Sequence, residues 1–160
     1  MKKLQIIKAD FNNSAHADAI LRITDAYARD PMGMDRPLSK RVLQNLIPAM
    51  KEFPGSFSLI AFWDGQPAGT ANCFYGFSTF YASKLINVHD LAVMPDYRGE
   101  GIGEALLKAV EEIAKEEECC KITLEVREDN RAKNLYERVG FTYGDPAMFF
   151  MTKELRPVPE

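Results

Sequence analysis

Cysteine is scarce in this sequence, and what there is suits neither metal nor disulfide chemistry. Three are present, Cys73, Cys119 and Cys120. The last two are adjacent and no Cys-x-x-Cys occurs, which argues against a zinc site and against a disulfide framework. They read as small apolar residues. No apolar run approaches the roughly 20 residues that a membrane-crossing helix needs. The first residues, Met1 to Asp10, carry neither a long apolar core nor a cleavage site. No signal peptide is therefore expected, and a cytoplasmic location is. Basic runs are missing too. The formal net charge is −3 and the pI about 5.5, which speaks against nucleic acid as a partner and mildly favours cationic amines. Repeats, linkers and low-complexity segments are absent. With 160 residues, 46% hydrophobic and 27% charged, the simplest expectation is one soluble domain over residues 1–155 and a Pro-rich, frayed tail over 156–160.

What is present is concentrated in one stretch. Arg98-Gly99-Glu100-Gly101-Ile102-Gly103 runs directly into Glu104-Ala105-Leu106-Leu107-Lys108-Ala109-Val110, an amphipathic helix. A glycine-rich turn feeding a helix offers free backbone N–H groups and the positive end of a helix dipole. That combination suits a phosphate or pyrophosphate. Glycines allow close backbone approach, and Arg98 can add a charge-assisted hydrogen bond. Rival phosphate motifs fail. A Walker A loop needs Lys-Ser/Thr after its last glycine, and neither follows Gly103. A dinucleotide fingerprint needs Gly-x-Gly-x-x-Gly directly after a strand. Counted from Gly99, its third glycine falls on Glu104, and the preceding strand ends near Val93, several residues early. For the loop alone, a helix entered through a flexible turn remains an alternative.

Periodicity predicts the order β-α-α-β-β-β-α-β-α-β-β, a mixed sheet with helices packed on it. A strand covers 3–8. A helix capped by Ser14 runs to about Arg29, and a second is capped by Ser39, disturbed by Pro48 and ended by Pro54-Gly55. Strands follow at Ser56–Trp63, about Pro67–Phe77 and Ser83–Val93, with a hairpin turn at Asp64-Gly65. A helix covers about Gly101–Glu117. Ile122, Leu124 and Val126 alternate as a strand, and a helix over Asn130–Val139 ends at Gly140. Phe141–Tyr143 and Met148–Lys153 read as a final hairpin.

The segment Val88 to Gly103 resembles motif A of the GNAT superfamily of N-acetyltransferases. In that motif a strand and short loop precede Arg/Gln-x-x-Gly-x-Gly/Ala and a helix, and Arg98, Gly101 and Gly103 hold the defining positions. Asn130 to Phe141 resembles motif B at the spacing the family shows. The resemblance covers roughly residues 85–145. It implies an α/β (α+β) fold with about six to seven strands, about four helices and splayed central strands. It also implies acetyl-CoA as co-substrate with no metal, and the amine of a small molecule or peptide as acceptor. Members of the superfamily are often homodimers.

Residue roles follow from that resemblance. The pyrophosphate belongs on the backbone of Arg98, Gly99, Glu100, Gly101, Ile102 and Gly103. The pantetheine amides belong on the backbone of Leu91, Ala92 and Val93, where the strand leading into motif A splays from its neighbour. An N–H near Val93 is the expected oxyanion donor. Asn130 bonds the pantetheine, or simply caps its helix. Ala132 and Tyr136 are i and i+4 and share a helix face. Ala132 leaves room for the cofactor, and Tyr136 reaches the sulfur as general acid or else completes an apolar stripe with Leu135 and Val139. A thiol near pKa 8.5 and a phenol near 10 make full proton transfer uphill by about 2 kcal/mol, so the phenol serves mainly as a hydrogen-bond donor. Polyamine (diamine) acetyltransferases carry Glu-Asp where this chain has His89-Asp90. An ordinary imidazole titrates near pH 6.5, so His89 is the candidate base, or else a strand residue with no chemical task. The replacement puts a polyamine acceptor in doubt. Asp90 is expected on the opposite sheet face from His89. Tyr27, Asp30, Asp35, Asp90, Tyr75, Phe77 and Tyr81 are candidates for an aromatic and acidic acceptor pocket. The expected reaction is acetyl transfer to a primary amine by direct attack in a ternary complex. The alternative is a non-catalytic acyl-CoA-binding domain with a regulatory or interaction role.

Overall fold

The computed structural model describes residues 3–160. Five strands form one sheet: β1 (Leu4–Lys8), β2 (Ser56–Trp63), β3 (Gln66–Ser78), β4 (Ser83–Val93) and β5 (Ile122–Leu124), in that spatial order. The first four pair antiparallel, and β5 joins β4 in parallel. A parallel pair needs a crossover, and α3 (Ile102–Glu116) supplies it. The other helices are α1 (Ser14–Arg29), α2 (Lys40–Glu52) and α4 (Ala132–Arg138), with a short 3-10 turn at Pro95–Tyr97. Among the described residues no helix is long and apolar enough to cross a membrane.

Both sheet faces are covered, which explains why β2 is buried without a break from Phe57 to Ala61. Leu59 and Ala61 face α3, where Ile102, Leu106, Leu107 and Val110 complete the larger core. Ile60 points the other way, onto Ala19 and Ile20 of α1 and Ile47 of α2.

Several expectations need correction. The sheet has five strands among the described residues rather than six or seven, because the final hairpin does not form. Only one backbone bond, Met148 N–H to the Tyr143 carbonyl at 3.0 Å, links its two arms. Met148, Phe149 and Met151 turn outward, 84%, 89% and 90% exposed, so no face is buried to stabilise pairing. The cap of α1 is Asn13, whose side chain accepts from the N–H groups of Ala15 and His16, one position ahead of Ser14. Helix α2, by contrast, fits its expectation: it contains Pro48 and ends at Glu52, just ahead of Pro54-Gly55. Ile47 and Met50, on either side of the proline, are buried, and packing outweighs the roughly 3 kcal/mol that an internal proline costs. Residues 156–160 are exposed and border a groove with Val42, Asn45 and Leu46 of α2.

A further irregularity lies in β4. Asn72 pairs with Asp90, but the next β3 residue, Cys73, pairs with Val88. His89 is thus the extra residue of a β-bulge, and alternation breaks there. Asp90 receives a 3.0 Å hydrogen bond from Asn72 Nδ2, which also donates to Thr24 Oγ1 of α1 at 3.3 Å. The His89 ring meets Phe74 edge-on at 5.8 Å, and Phe74 meets Phe53 at the end of α2 at 5.5 Å. His89 and Asp90 therefore share the α1/α2 face instead of lying on opposite faces.

The amide of Asn72 is the node that fixes this kink. Its Oδ1 accepts from the Ser58 hydroxyl at 2.7 Å. Asn72→Ala leaves the buried Ser58 hydroxyl and the Asp90 carboxylate without this partner. The expected loss is about 2–4 kcal/mol of stability, measured as a lower urea midpoint at unchanged m value. A loss below about 0.5 kcal/mol would show that the node is dispensable.

Candidate active site

The β4–β5 ladder has three rungs, ending at Val88 opposite Leu124. Beyond them β4 runs on to Val93 while the chain after Leu124 departs toward α4. The gap is a cleft of about 520 Å³. Leu91, Ala92 and Val93 form one wall, and Asn130, Ala132, Leu135 and Tyr136 form the other. Arg98 and Gly103 border it at the start of α3, while Tyr27, Asp30 and Met32 border it from the α1 side. The splay implied by the resemblance is present.

Local backbone chemistry shapes the anion end. Gly99 and Gly101 sit at φ of 81° and 80°, left-handed values that cost other residues about 1–2 kcal/mol. Gly101 is the N-cap of α3, so the turn delivers the helix start with its first N–H groups free of helical partners. A Cβ on Gly103 would come within 3.1 Å of Leu135 Cδ2 and within 3.9 Å of Leu91 and Val93 side chains. Glycine there keeps open the place where α3, α4 and β4 converge. Gly99 and Glu100 lie on the exposed turn. The Ile102 side chain is buried in the core, which leaves only its backbone to serve a ligand. Asn130 Oδ1 accepts from the N–H of Ala132 at 2.9 Å. The N-cap of α4 is Arg131, whose side chain makes no capping bond, so Asn130 braces the turn one residue earlier and borders the cleft.

A second cavity of about 360 Å³ adjoins the first and shares Tyr27, Leu91, Asn130 and Tyr136 with it. It adds His89, Glu125, Arg127 and Phe150. His89 and Tyr136, far apart in sequence, therefore border one space. Burial, and secondarily Tyr27, pushes the Tyr136 phenol up to about 12. Tyr27 is also raised, by burial first and then by Asp90 and Asp30. Asp30 is lowered, chiefly by the N–H of Met32 and then by Arg98.

Four acceptor candidates are not brought to the site. Tyr75 packs on Phe57 at 5.2 Å, with Lys84 over its ring at 5.3 Å. Phe77 is exposed near the tip of the β3–β4 hairpin, and Tyr81 lies under Lys121. Tyr75 and Phe77 pair with Ile86 and Lys84, ahead of Val88, whereas the gap opens after Val88. Asp35 sits at a left-handed turn position and lines neither cavity. Conversely, Glu125, Arg127 and Phe150 were missed. Position was the available signal for the first two: they follow the last residue that pairs with β4.

A model of the Acetyltransferase (GNAT) family matches residues 20–141. The chain belongs to this family. Among curated GNAT relatives, thialysine N-epsilon-acetyltransferase of Bos taurus is 36% identical over 83 residues, 48% of each chain. The Mus musculus protein of that name is 30% identical over 133 residues, 82% of this chain and 71% of its own. The chain spans about half the length of the first curated relatives it matches. A solved aminoglycoside N-acetyltransferase in complex with CoA superposes with a TM-score of 0.73 at 15% identity, over 96% of this chain and 97% of that one. At that identity the superposition shows a shared fold. The GNAT match stops at Phe141, the first residue of the segment whose predicted hairpin is absent.

Proposed function

We propose that the protein transfers an acetyl group from acetyl-CoA to a primary amine of a small molecule or peptide, by direct attack within a ternary complex. The observation that carries this reading is the single cleft at the β4–β5 divergence. It joins an anion-ready helix start to a space bordered by both His89 and Tyr136.

Arg98 and the free N–H groups of α3 hold the pyrophosphate. Backbone groups of Leu91, Ala92 and Val93 that lack a β5 partner take the pantetheine amides; left dry and unpaired they would cost roughly 1–3 kcal/mol each. An N–H near Val93 donates to the thioester oxygen as negative charge builds on it. His89 accepts the ammonium proton of the acceptor, directly or through one water. Tyr136 donates a hydrogen bond to the sulfur. Its phenol near 12 lies about 3.5 units above an ordinary thiol near 8.5, close to 5 kcal/mol. Complete proton transfer is therefore strongly uphill, and the phenol acts by solvating the departing thiolate. Tyr27 and Glu125 give the acceptor side aromatic and acidic character suited to an amine, and Asp90, which lines neither cavity, acts on it through Tyr27. The mammalian relatives' name makes a lysine-like side-chain amine the first acceptor to try.

Acetyl-CoA at a hundredfold excess over its dissociation constant is expected to add about 2.7 kcal/mol. In a domain of this size that raises the melting temperature by roughly 5–10 °C, while NAD leaves it unchanged. A shift with NAD alone would overturn the site. A thiol-release screen of thialysine, lysine, diamines, aminoglycosides and peptides then names the acceptor. Binding without release for any amine would favour a purely binding domain.

A further inference from the structure

The guanidinium assigned above to a pyrophosphate already holds an anion of the protein's own. Arg98 Nη2 donates to Asp30 Oδ2 at 3.0 Å, and Arg98 Nε donates to the Val93 carbonyl at 3.3 Å. Asp30 is the C-cap of α1 and opens the loop to α2. Its Oδ1 accepts from the Met32 N–H at 2.9 Å, and its carbonyl accepts from Gly33 at 2.8 Å and Asp35 at 3.2 Å. Asp30 shares the folding of the loop with the Ala28 carbonyl, which accepts from Met34 at 2.9 Å and Arg36 at 3.3 Å, and it alone of these ties the loop to Arg98. A second tie lies on the opposite wall. Arg127 Nη1 donates to the Pro31 carbonyl at 3.1 Å, and Asp129 holds Arg127 through both carboxylate oxygens at 3.0 and 2.9 Å. Asp30 and Met32 border the same cleft as Arg98, so the loop lies across the ligand's path.

We infer that Asp30 is a positioning residue that competes with the pyrophosphate for Arg98, so that seating the pyrophosphate releases one of the two ties that hold the 30–36 loop to the cleft. The inference rests on the proposed function, since it needs a pyrophosphate ligand. Carboxylate and phosphate offer the same kind of acceptor to one fork of N–H donors. Two anions on one guanidinium also repel each other. The Arg98 and Asp30 side chains are 52% and 22% exposed, and pairs in such settings shift an equilibrium by no more than about fivefold. The tie is weak enough for a ligand with further N–H partners to displace. Arg127 keeps hold of Pro31, so release is confined to the part of the loop that Asp30 organises.

The test uses the whole protein with two probes, CoA and S-acetylpantetheine, which lacks the pyrophosphate. Asp30→Asn keeps an oxygen for the Met32 N–H but removes the charge. Calorimetry is expected to show CoA binding to this variant about two- to fivefold tighter than to wild type, with S-acetylpantetheine unchanged. On the wild-type protein, hydrogen exchange at the amides of Met32, Gly33 and Asp35 is expected to speed up with CoA and to stay constant with S-acetylpantetheine. CoA affinity equal or weaker in Asp30→Asn, with the wild type binding CoA, overturns the competition but leaves the functional reading intact. Slower or unchanged exchange with CoA does the same, and it decides the matter if the variant does not fold. A wild-type protein that binds no CoA overturns both.

Discussion

Tyr136→Phe is expected to lower kcat at least tenfold while changing the CoA dissociation constant less than about twofold. The ring is what packs: Tyr136 is 8% exposed and meets Phe141 at 6.0 Å, and phenylalanine keeps that packing. Only the hydroxyl is lost. In the proposed mechanism the hydroxyl donates to the departing sulfur in the transition state and hardly at all in the bound thioester, so the expected loss falls on kcat. A phenol held near 12 keeps its proton throughout the working range. The substitution therefore lowers the plateau of the pH profile without moving either limb. Turnover within twofold of wild type would remove Tyr136 from the mechanism and leave it the packing role it also fills.

His89→Ala is expected to reduce kcat/KM by about a hundredfold, the low end of what a positioned base contributes. It should also change the shape of the profile. A protonated imidazole cannot accept the acceptor's proton, so the wild type is expected to lose activity on the acidic side of its profile. The alanine variant lacks that limb. His89 is exposed and at the bulge, with its ring resting on Phe74, so its removal disturbs no buried contact. A profile that keeps the acidic limb after substitution excludes His89 as the base, whatever the loss of rate. The two variants also separate by cause: one loses height alone, the other height and a limb.

Much of this was legible in the sequence, and the reasons are local. Ser56–Trp63 and Ser83–Val93 are strands at the predicted residues because apolar runs between turn signals leave few alternatives. The helix after Gly101 was legible, and Leu91, Ala92, Val93, Arg98, Gly103, Asn130 and Ala132 border one cleft, because motif A and motif B tie residue identity to a backbone shape. What was not legible depends on register. No pattern in Val88-His89-Asp90 announces a bulge, since a rule of strict alternation is all that a lone strand offers. Tyr75 and Phe77 looked suitable by chemistry, but they pair on the wrong side of Val88. The Asp30–Arg98 tie joins positions too distant for any periodicity to connect. Met148–Lys153 has the composition of a strand without a face to cover.

The kink at His89 also constrains how this gene can change length. A chain with that one codon deleted would zip β3 to β4 in unbroken alternation, with Val88 and Asp90 still opposite Cys73 and Asn72. Such a protein would have a tidier sheet and no imidazole at the cleft. If His89 is the base proposed above, regular hydrogen bonding and reactivity pull in opposite directions, and a stability screen alone would choose the version without it.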